Sequence, residues 1–518
     1  MLRILRNFYL QLVQHTYICI WLVIGLLGLI TVYIRLKVIF LVNPDVGGIE
    51  NNVIYSTLRI LAGYPLYQNP EQAPYAITQY SPIYYYLTAG LSRLIGFTAD
   101  DVYEVYAVSR SISLLANGFY AWGIIRLARC VQLPASVSVL AGILAFTLLP
   151  PQSYGRPDSV YNALAIWTVW AVARWRISNS ASLVNYDSVL AALLTALALF
   201  SKQSAICLPI MVSVYLILCS NRPWQIVSFL GWFILFLGIL YICLFRQDLS
   251  LIYANIVRGV SNGIDLANFR YNLVDHYLRP FAWLVIPSLA ISARYIAFEQ
   301  GPRQFLGLAT LVFFLFALAT GLKLGSALNY FTEFTGLSCL LIADMLWQLR
   351  TTHSDWAKAG RLGLVLAVVW VVPINAMNFN WQRTFGIPVD MTQYQREKTV
   401  AQYIKSELRN CDSCLVYSTL YNTSYLNSFL FQRCIVPQQE IIIESTYPRK
   451  LFDYTDLDRA AQDGRIQFVV SHDTETETPL APPIYLANYK PIKSLEGYTV
   501  YKFNIHRNHL SYSSRKRK

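Results

Sequence analysis

The chain has 518 residues, of which 55% are hydrophobic and only 14% are charged, and its mean hydropathy is +0.39. Soluble domains carry about 25% charged residues, so this composition excludes an ordinary soluble globular protein. The net charge of +13 does not indicate nucleic-acid binding, because Lys and Arg stand mostly singly or in pairs at the ends of apolar runs, where they follow membrane topology. The composition predicts a protein embedded in a lipid bilayer.

Apolar runs recur through the first 380 positions at about 20 residues each, the length that crosses a hydrocarbon core of about 30 Å. The first run is too long for the apolar region of a signal peptide and lacks a small-residue cleavage site. We predict eleven membrane-spanning helices, at 17–42, 102–128, 133–150, 158–175, 187–201, 204–220, 223–245, 281–298, 304–322, 329–349 and 361–379.

The distribution of basic residues orients these spans. With Arg3 and Arg6 in the cytoplasm, the short inside loops are consistently basic, as the positive-inside rule requires. An odd number of spans then places the C-terminal end of the chain on the outer face. The predicted location is a multi-pass membrane protein with a cytoplasmic N-terminus and an outer C-terminal domain.

Two long outer loops interrupt the pattern. Residues 43–101 contain two tyrosine-rich, amphipathic helical segments, which we predict to lie along the membrane surface. Residues 246–280 form a second outer loop with four arginines, which departs from the charge rule unless those arginines face an anionic ligand. Both loops are assigned to a transmembrane domain at 1–379.

The chain becomes polar after position 380, and its pattern predicts a small α/β domain at 380–506. The predicted helices are 395–408, 421–431 and 454–463, and the predicted strands are 414–418, 466–471, 485–491 and 498–504. Residues 507–518 read as a basic, disordered tail. The fold class is therefore mainly α, a polytopic helical bundle with a small C-terminal α/β domain.

Three cysteines, Cys411, Cys414 and Cys434, fall in the polar region. The "CDSC" stretch is compatible with a zinc or redox motif, but there is no second CxxC pair and no well-spaced histidine. We therefore favour a structural disulfide in an oxidising compartment and leave its pairing open. The other six cysteines lie in or beside apolar runs and are interpreted as packing residues.

Five groups of polar residues fall at the outer ends of the predicted spans or in the first outer loop. They are Asp45 with Glu50, Tyr80 in "YSPIYYY", Arg156 with Asp158 in "GRPDS", Lys202 with Gln203 in "FSKQS", and Lys323 with Asn329, Tyr330 and Glu333 in "KLGSALNYFTEF". Charged groups at the rim of a membrane bundle are costly and tend to mark a functional cavity. Their common depth and face predict one shared site.

Each group also has a purely structural interpretation. Asp158 suits the first turn of a helix that Pro157 starts, where the helix dipole favours a carboxylate. Lys202 can extend its amine to the membrane surface. Asn329 and Glu333 share a helix face and can satisfy each other, and tyrosines such as Tyr80 are common in interfacial belts. The shared site is favoured over these interpretations because the groups coincide in depth.

Carboxylates beside cations suit transfer chemistry at a membrane surface. A carboxylate can take the proton from an attacking hydroxyl as a general base. Arginine and lysine can stabilise the negative charge that develops on a phosphate leaving group. A lipid-linked sugar phosphate would bring such a phosphate to this depth.

Three stretches resemble a known class of membrane enzymes: "GIENNVIYSTLRILAGYPLY", "YSPIYYYLTAGLSRLIG" and "SRSISLLANGFYAWGIIRLAR". Their order and spacing are similar to those of the GT-C class of integral-membrane glycosyltransferases, especially the bacterial relatives of protein mannosyltransferase and of the lipid A aminoarabinose transferase. Asp158 in "RPD", together with "FSKQSA" and "GSALNYFTEF", extends the resemblance over about residues 15–350.

The resemblance implies an inverting transfer of a sugar from a polyprenyl-phosphate donor to a hydroxyl or amine on the outer face of a bacterial inner membrane. The acceptor is a glycan, lipid or protein, and nucleic acid is not a partner. By this resemblance the catalytic residues are Asp45, Glu50 and Asp158. The residues implied to contact the substrates are Arg35, Tyr80, Arg156, Lys202, Gln203, Arg258, Lys323, Asn329, Tyr330 and Glu333.

The chain departs from the family pattern at two places. The adjacent Asp-Glu pair of the first loop is missing, since Ile49 precedes Glu50 and the nearest aspartate is Asp45. The sequence leaves open which of the two carboxylates is the base. The family's cation beside the Pro-Pro stretch is replaced by Tyr80, so Lys202 or Arg156 would supply that charge.

Two other classes of function are also compatible with the sequence. A transporter or flippase for a lipid-linked saccharide also buries charges among helices, but it typically shows inverted repeats and broken helices, which the sequence lacks. A membrane scaffold or receptor would not need acids and bases at one depth. Two outer carboxylates could hold Mg²⁺ or Mn²⁺, although no ligand set of convincing spacing is present.

Overall fold

The computed structural model describes residues 2–178, 185–219, 224–244, 248–350, Gly363, 371–376 and 391–504, except for gaps at 412, 421–423, 439–441, 473–483 and 485. Its helices of eight or more residues, in chain order, are α1 Leu2–Ile39, α2 Glu50–Leu61, α3 Ile83–Ile95, α4 Val102–Cys130, α5 Ala135–Thr147, α6 Pro157–Ser178, α7 Tyr186–Ser201, α8 Cys207–Cys219, α9 Trp224–Leu244, α10 Leu249–Ile256, the π-helix α11 Phe269–Leu278, α12 Ala282–Phe298, α13 Pro302–Gly321, α14 Thr332–Leu349, α15 Thr392–Glu407 and α16 Thr455–Gln462. The strands are β1 Leu415–Ser418, β2 Ile466–His472, β3 Tyr489–Leu495 and β4 Tyr498–Phe503.

Each predicted span from 17–42 to 329–349 coincides with a helix, with boundaries that differ by a few residues apart from the earlier start of α1. The predicted span at 361–379 lies outside the described residues apart from Gly363 and 371–376. Three described helices are both long and apolar enough to cross a membrane: Ile20–Ile39, Trp224–Leu244 and Pro302–Gly321. A bent pair, Leu266–Leu278 with Ala282–Phe298, is a fourth candidate, with 84° between its two parts. The total of eleven spans and their sidedness stay predictions.

The chain divides into two compact units. One unit comprises Met1–Ile39, Arg110–Phe245 and Gly263–Ile387, and the other comprises Phe40–Ser109, Arg246–Asn262 and Pro388–Lys518. The predicted first outer loop and the early part of the second therefore fold with the C-terminal segment. The domain boundaries that the sequence predicts stay a prediction.

Close helix contacts in the first unit depend on glycine. Gly142 of α5 lies against Ile125 of α4, and Gly336 of α14 lies against the Tyr120 ring of α4, so that an added Cβ would collide with each neighbour. The Tyr120 hydroxyl donates to the Thr332 carbonyl at 2.9 Å. Small residues let membrane helices approach closely, and here they fix the start of α14 against α4.

The second unit contains a four-stranded sheet in the order β1-β2-β4-β3. Strand β1 is parallel to β2, and β4 is antiparallel to both β2 and β3. The small C-terminal α/β fold that the sequence predicts is confirmed. The helix predicted at 421–431 is shorter, since its described helical part is Leu426–Phe429. Its start is fixed by the Ser424 hydroxyl, which accepts the Leu426 N–H at 3.0 Å, a local side-chain bond typical of a helix N-terminus.

Helix α2 belongs to the core of this unit. Ile54 and Leu58 share an apolar cluster with Val416 and Phe468 of the sheet. All of α2 from Glu50 to Ile60 is buried, so it has no exposed apolar face and differs from the interfacial helix that the sequence predicts. Helix α3 does expose such residues, among them Leu94, and its position along a membrane surface stays a prediction.

The cysteines of the polar region take two different states. Cys411 and Cys414 form a disulfide just before β1, in agreement with the favoured interpretation of the "CDSC" stretch. Cys434 is a free, buried thiol that donates to Asn427.

We predict that Gly336→Ala destabilises the first unit, because the added methyl group collides with Tyr120 and displaces its bond to Thr332. Overpacking of this kind costs about 1–3 kcal/mol. The measurement is the midpoint of thermal unfolding of the purified protein in detergent. The matched control is Gly238→Ala in α9, where the structure leaves open space at the Cβ and helix propensity favours alanine. Equal midpoints for the two variants would contradict the contact.

Candidate active site

The loop before α6 places two opposite charges at a helix start. Helix α5 ends at Thr147, and Pro150 and Pro151 lead into a short 3-10 turn that ends at Ser153. Pro157 then occupies the first position of α6, where its fixed φ suits a helix and its missing N–H costs nothing. Asp158 is thereby held in the first turn of α6.

The Asp158 carboxylate is the centre of a buried polar cluster. Its Oδ1 lies 2.6 Å from Lys202 Nζ and accepts a hydrogen bond from the Asn329 side-chain amide. Its Oδ2 lies 3.3 Å from Arg156 Nε, within ion-pair range. Asp158 is 1% exposed, and its three partners are also buried. A buried charge without a partner would destabilise the fold by several kcal/mol, so Asp158 needs these partners.

Lys202 enters the cluster from the end of α7. Its backbone is extended, with φ −155° and ψ 134°, between α7 and a 3-10 turn that begins at Gln203. The ammonium lies 4.7 Å from the centre of the Tyr330 ring and 5.7 Å from that of Tyr161. The aromatic rings and the carboxylate hold the cation in a defined position.

The connection from α13 to α14 supplies the remaining members. Asn329 lies in a 3-10 turn, Leu328–Phe331, whose carbonyl at Asn329 accepts from the Thr332 hydroxyl at 2.9 Å. Glu333 lies in the first turn of α14, is 2% exposed and interacts with the Tyr161 hydroxyl. Its Oε1 has no hydrogen-bond partner among the described residues.

Lys323 adds a further cation to this connection. Burial, together with repulsion from Lys202, lowers the pKa of its amine to about 8. The cluster then contains three cations, Arg156, Lys202 and Lys323, and two carboxylates, Asp158 and Glu333. The balance favours an anionic ligand.

Arg35 supports this cluster through neutral contacts. Its guanidinium donates to Ser153 Oγ at 3.0 Å and to the Leu149 carbonyl at 3.1 Å, and it lies over the Tyr154 ring at 4.7 Å. These contacts fix the loop that carries Arg156. A direct contact between Arg35 and a donor phosphate stays a prediction.

The other predicted site residues belong to the second unit. Asp45 Oδ2 and Oδ1 accept the backbone N–H groups of Ile49 and Glu50, each at 3.0 Å. The Glu50 carboxylate accepts the Val46 N–H at 3.2 Å, so each acid closes the turn that precedes α2. Asp45 is half-buried, whereas Glu50 is completely buried.

Tyr80 and Arg258 have contacts within the second unit as well. The Tyr80 carbonyl accepts the Tyr67 hydroxyl at 2.9 Å. The exposed Arg258 guanidinium lies 4.8 Å from the centre of the Phe452 ring. The roles assigned to both residues from the sequence stay predictions.

The residues predicted from the sequence do not include two members of the cluster. Tyr161 lies three residues after Asp158 on the same face of α6, a spacing that could have been used to find it. Ser113 of α4 accepts the Arg156 N–H at 3.3 Å and the Ser159 hydroxyl at 3.0 Å. No local pattern indicates Ser113, because its contact with Arg156 depends on how α4 packs.

The donor set does not resemble a metal site. Asp158 faces two cations and an amide N–H, whereas a divalent ion needs several oxygen ligands. Within the described part of the chain, no group of three or more His, Cys, Asp or Glu residues could hold a metal ion.

We predict that Asp158→Asn lowers the free energy of unfolding by about 3 kcal/mol, because it leaves the buried Lys202 cation without its carboxylate. Adding Lys202→Met should recover part of this loss, since the closer of the two cations is then removed and only Arg156 remains without its carboxylate. The measurement is thermal unfolding of the single and double variants in detergent.

The matched control is Asp187→Asn, which also removes a buried carboxylate from the first turn of a helix. Its partner Arg174, at 3.0 Å, is 45% exposed, so the loss should stay near 1 kcal/mol. Additive effects of Asp158→Asn and Lys202→Met would contradict the predicted coupling.

Comparison with known proteins identifies the fold. No protein-family model and no curated protein matches the sequence. Among solved structures, the chain is similar to ArnT from Cupriavidus metallidurans bound to undecaprenyl phosphate, with a TM-score of 0.56 and 13% identity over 92% of this chain and 97% of that one. It is also similar to the oligosaccharyltransferase of Archaeoglobus fulgidus, with a TM-score of 0.57 and 14% identity over 88% of this chain and 69% of that one. The chain therefore has the fold of the GT-C class of integral-membrane glycosyltransferases.

Proposed function

We propose that the protein transfers a sugar from a polyprenyl-phosphate donor to a hydroxyl or amine of an acceptor at the outer face of a bacterial inner membrane, with inversion at the anomeric carbon. The observation that carries the proposal is the buried cluster around Asp158, in which cations outnumber carboxylates at helix ends of the first unit. The fold supports it, since ArnT, a protein of similar fold, is seen with undecaprenyl phosphate.

The cluster is suited to a phosphate group. Asp158 neutralises the charge of only one of the two cations near it, Lys202 and Arg156. The Asn329 amide donates to the Asp158 carboxylate, and the Tyr330 ring lies beside the Lys202 ammonium. A phosphate that reached Lys202 and Lys323 would restore charge balance and relieve the repulsion between the two lysines. The same cations would then stabilise the charge that accumulates on the leaving phosphate, where their effect on rate is greatest.

Asp45 is proposed as the general base in preference to Glu50. Glu50 is completely buried and bonded to the Val46 N–H, which makes it a positioning residue for the turn. Asp45 is half-buried, and two backbone N–H groups hold its carboxylate in place. A carboxylate that is both fixed and accessible meets the geometric requirement for proton removal.

The proposed reaction is a single displacement. The acceptor O–H or N–H proton passes to the Asp45 carboxylate as the acceptor atom attacks the anomeric carbon from the face opposite the phosphate. The bond between the anomeric carbon and the phosphate oxygen breaks, and its electron pair leaves with the polyprenyl phosphate. Arg156, Lys202 and Lys323 are assigned to that leaving group.

The test measures the release of polyprenyl phosphate from a panel of undecaprenyl-phosphate sugars by purified protein in detergent. We expect Asp45→Asn to lower turnover at least 100-fold while the donor still binds, because loss of a general base typically costs 10²–10⁴ in rate. The matched control is Asp248→Asn, which removes another carboxylate that caps a helix in the same unit and should retain turnover.

Two results would contradict the proposal. Asp45→Asn with normal turnover would exclude Asp45 as the base. Wild-type protein that binds the donors but releases no polyprenyl phosphate from any of them, either to water or to a panel of hydroxyl and amine acceptors, would exclude the transferase and favour a flippase.

Lys323 gives a pH prediction. Its pKa of about 8 lies below the ordinary value, so the amine is protonated at pH 7 and loses its charge as the pH rises through 8. We expect kcat/KM for the donor to fall through this range, because the uncharged amine no longer attracts the phosphate. Lys323→Arg should keep its charge and move the fall to higher pH. An identical alkaline profile for wild type and Lys323→Arg would show that another group controls it.

A further inference from the structure

The second unit contains a cavity of about 560 Å³, within the range of small-molecule sites. Asp45 and its neighbour Asn43 form one side, and residues of α15 form another. The end of β2 at His472, the start of β4 at Tyr498 and Glu496 in the turn between β3 and β4 complete it. The half-buried Asp45 carboxylate therefore borders a partly open cavity large enough for part of a substrate.

The polar wall of this cavity is pre-organised. Glu397 is completely buried, and its Oε1 accepts from Gln393 at 2.9 Å and from the Tyr498 hydroxyl at 2.9 Å. Its Oε2 accepts the Tyr425 N–H at 2.6 Å. One carboxylate thus fixes two lining side chains, and a rigid wall of this kind reduces the entropy lost when a ligand binds.

The charges of the wall disfavour an anionic ligand. Three carboxylates, those of Asp45, Glu397 and Glu496, border the cavity, against the guanidinium of Arg396 and the imidazole of His472. Carboxylates accept hydrogen bonds and donate none when ionised, so they suit hydroxyl or ammonium groups. A phosphate in this cavity would meet repulsion from the Asp45 carboxylate, whereas the charges of Glu496 and Arg396, 3.8 Å apart, offset each other.

The position in the sheet argues against an extended peptide. His472 ends β2 and Tyr498 begins β4, and the two residues are paired with each other in the middle of the sheet. The sheet edges are β1 and β3, so the cavity offers no free strand edge for a peptide to extend. The His472 and Tyr498 rings, 5.1 Å apart in an edge-to-face arrangement, instead present aromatic surface beside acceptor oxygens.

We propose that this cavity is the acceptor subsite and that it binds a phosphate-free saccharide headgroup, with its hydroxyl or amino groups on the carboxylates and a sugar ring against His472. The identification of the bound saccharide as the acceptor rests on the proposed function. The binding of the saccharide itself does not depend on the identity of the donor. His472, Arg396 and Glu496 are the specificity-determining residues, and Asp45 faces the group that reacts.

The experiment uses saturation-transfer NMR to measure the binding of phosphate-free oligosaccharides to the full-length protein in detergent, without donor. The oligosaccharides have two to four sugars, and half of them contain amino sugars. Serine-containing octapeptides are measured beside them. We expect saccharide signals from wild type, and at least a threefold loss in His472→Leu and in Glu496→Gln. The matched control, Arg459→Gln, alters an exposed arginine of α16 that does not line the cavity and should bind as wild type does.

A second arm separates this inference from the proposed function. With a saccharide that binds, the cavity variants should raise the KM for that acceptor at least threefold and leave the hydrolysis of the donor by water unchanged. Saccharide binding that maps to the cavity, without donor turnover, would support the subsite and exclude the transferase. Donor turnover with saccharide binding unchanged in both cavity variants, or octapeptides binding in place of saccharides, would overturn the subsite.

Discussion

The first unit depends on one buried carboxylate. Asp158 starts a helix, and it is bonded to Lys202 and Asn329 from two other parts of the chain. Without it, two cations would be buried without a counter-charge, so the ends of α6, α7 and α14 are held together by an electrostatic requirement as much as by packing. The cations of the cluster still outnumber its carboxylates, which is the charge balance that an anionic ligand requires.

The second unit shows a different use of acidic residues. Asp45 and Glu50 close a turn by accepting backbone N–H groups, and Glu397 holds side chains at the wall of a cavity. These carboxylates are fixed by donors that carry no charge. Asp158, in contrast, is bonded directly to the Lys202 ammonium.

Much of the fold follows from the sequence because apolar length and polar composition are strong signals. A helix lies at each predicted apolar run from 17–42 to 329–349, and the polar segment forms the predicted sheet. The convergence of Asp158, Lys202 and Asn329 could be anticipated, since all three end or begin apolar runs at one predicted depth. Their chemical roles stay predictions.

Other features could not be predicted, for identifiable reasons. The contact of Arg35 with Ser153 spans 118 positions and depends on helix packing, which no local pattern encodes. The periodicity of α2 indicates an apolar face. It does not indicate that this face and the opposite one are both buried, or that part of the cover is a sheet whose residues lie some 360 positions later in the chain. The choice between Asp45 and Glu50 required their burial, which spacing alone does not give.

The burial of α2 against the C-terminal sheet has a consequence for biosynthesis. Residues such as Ile54 and Leu58 leave the ribosome long before Val416 and Phe468, with which they share a core. At about 5–20 residues per second, the interval between them is on the order of 20–70 seconds. During that time these side chains have partners such as Val102 and Val105 but lack the sheet that completes their core. Folding of this chain therefore calls for a chaperone, or another apolar surface, to shield these side chains until the sheet has been made.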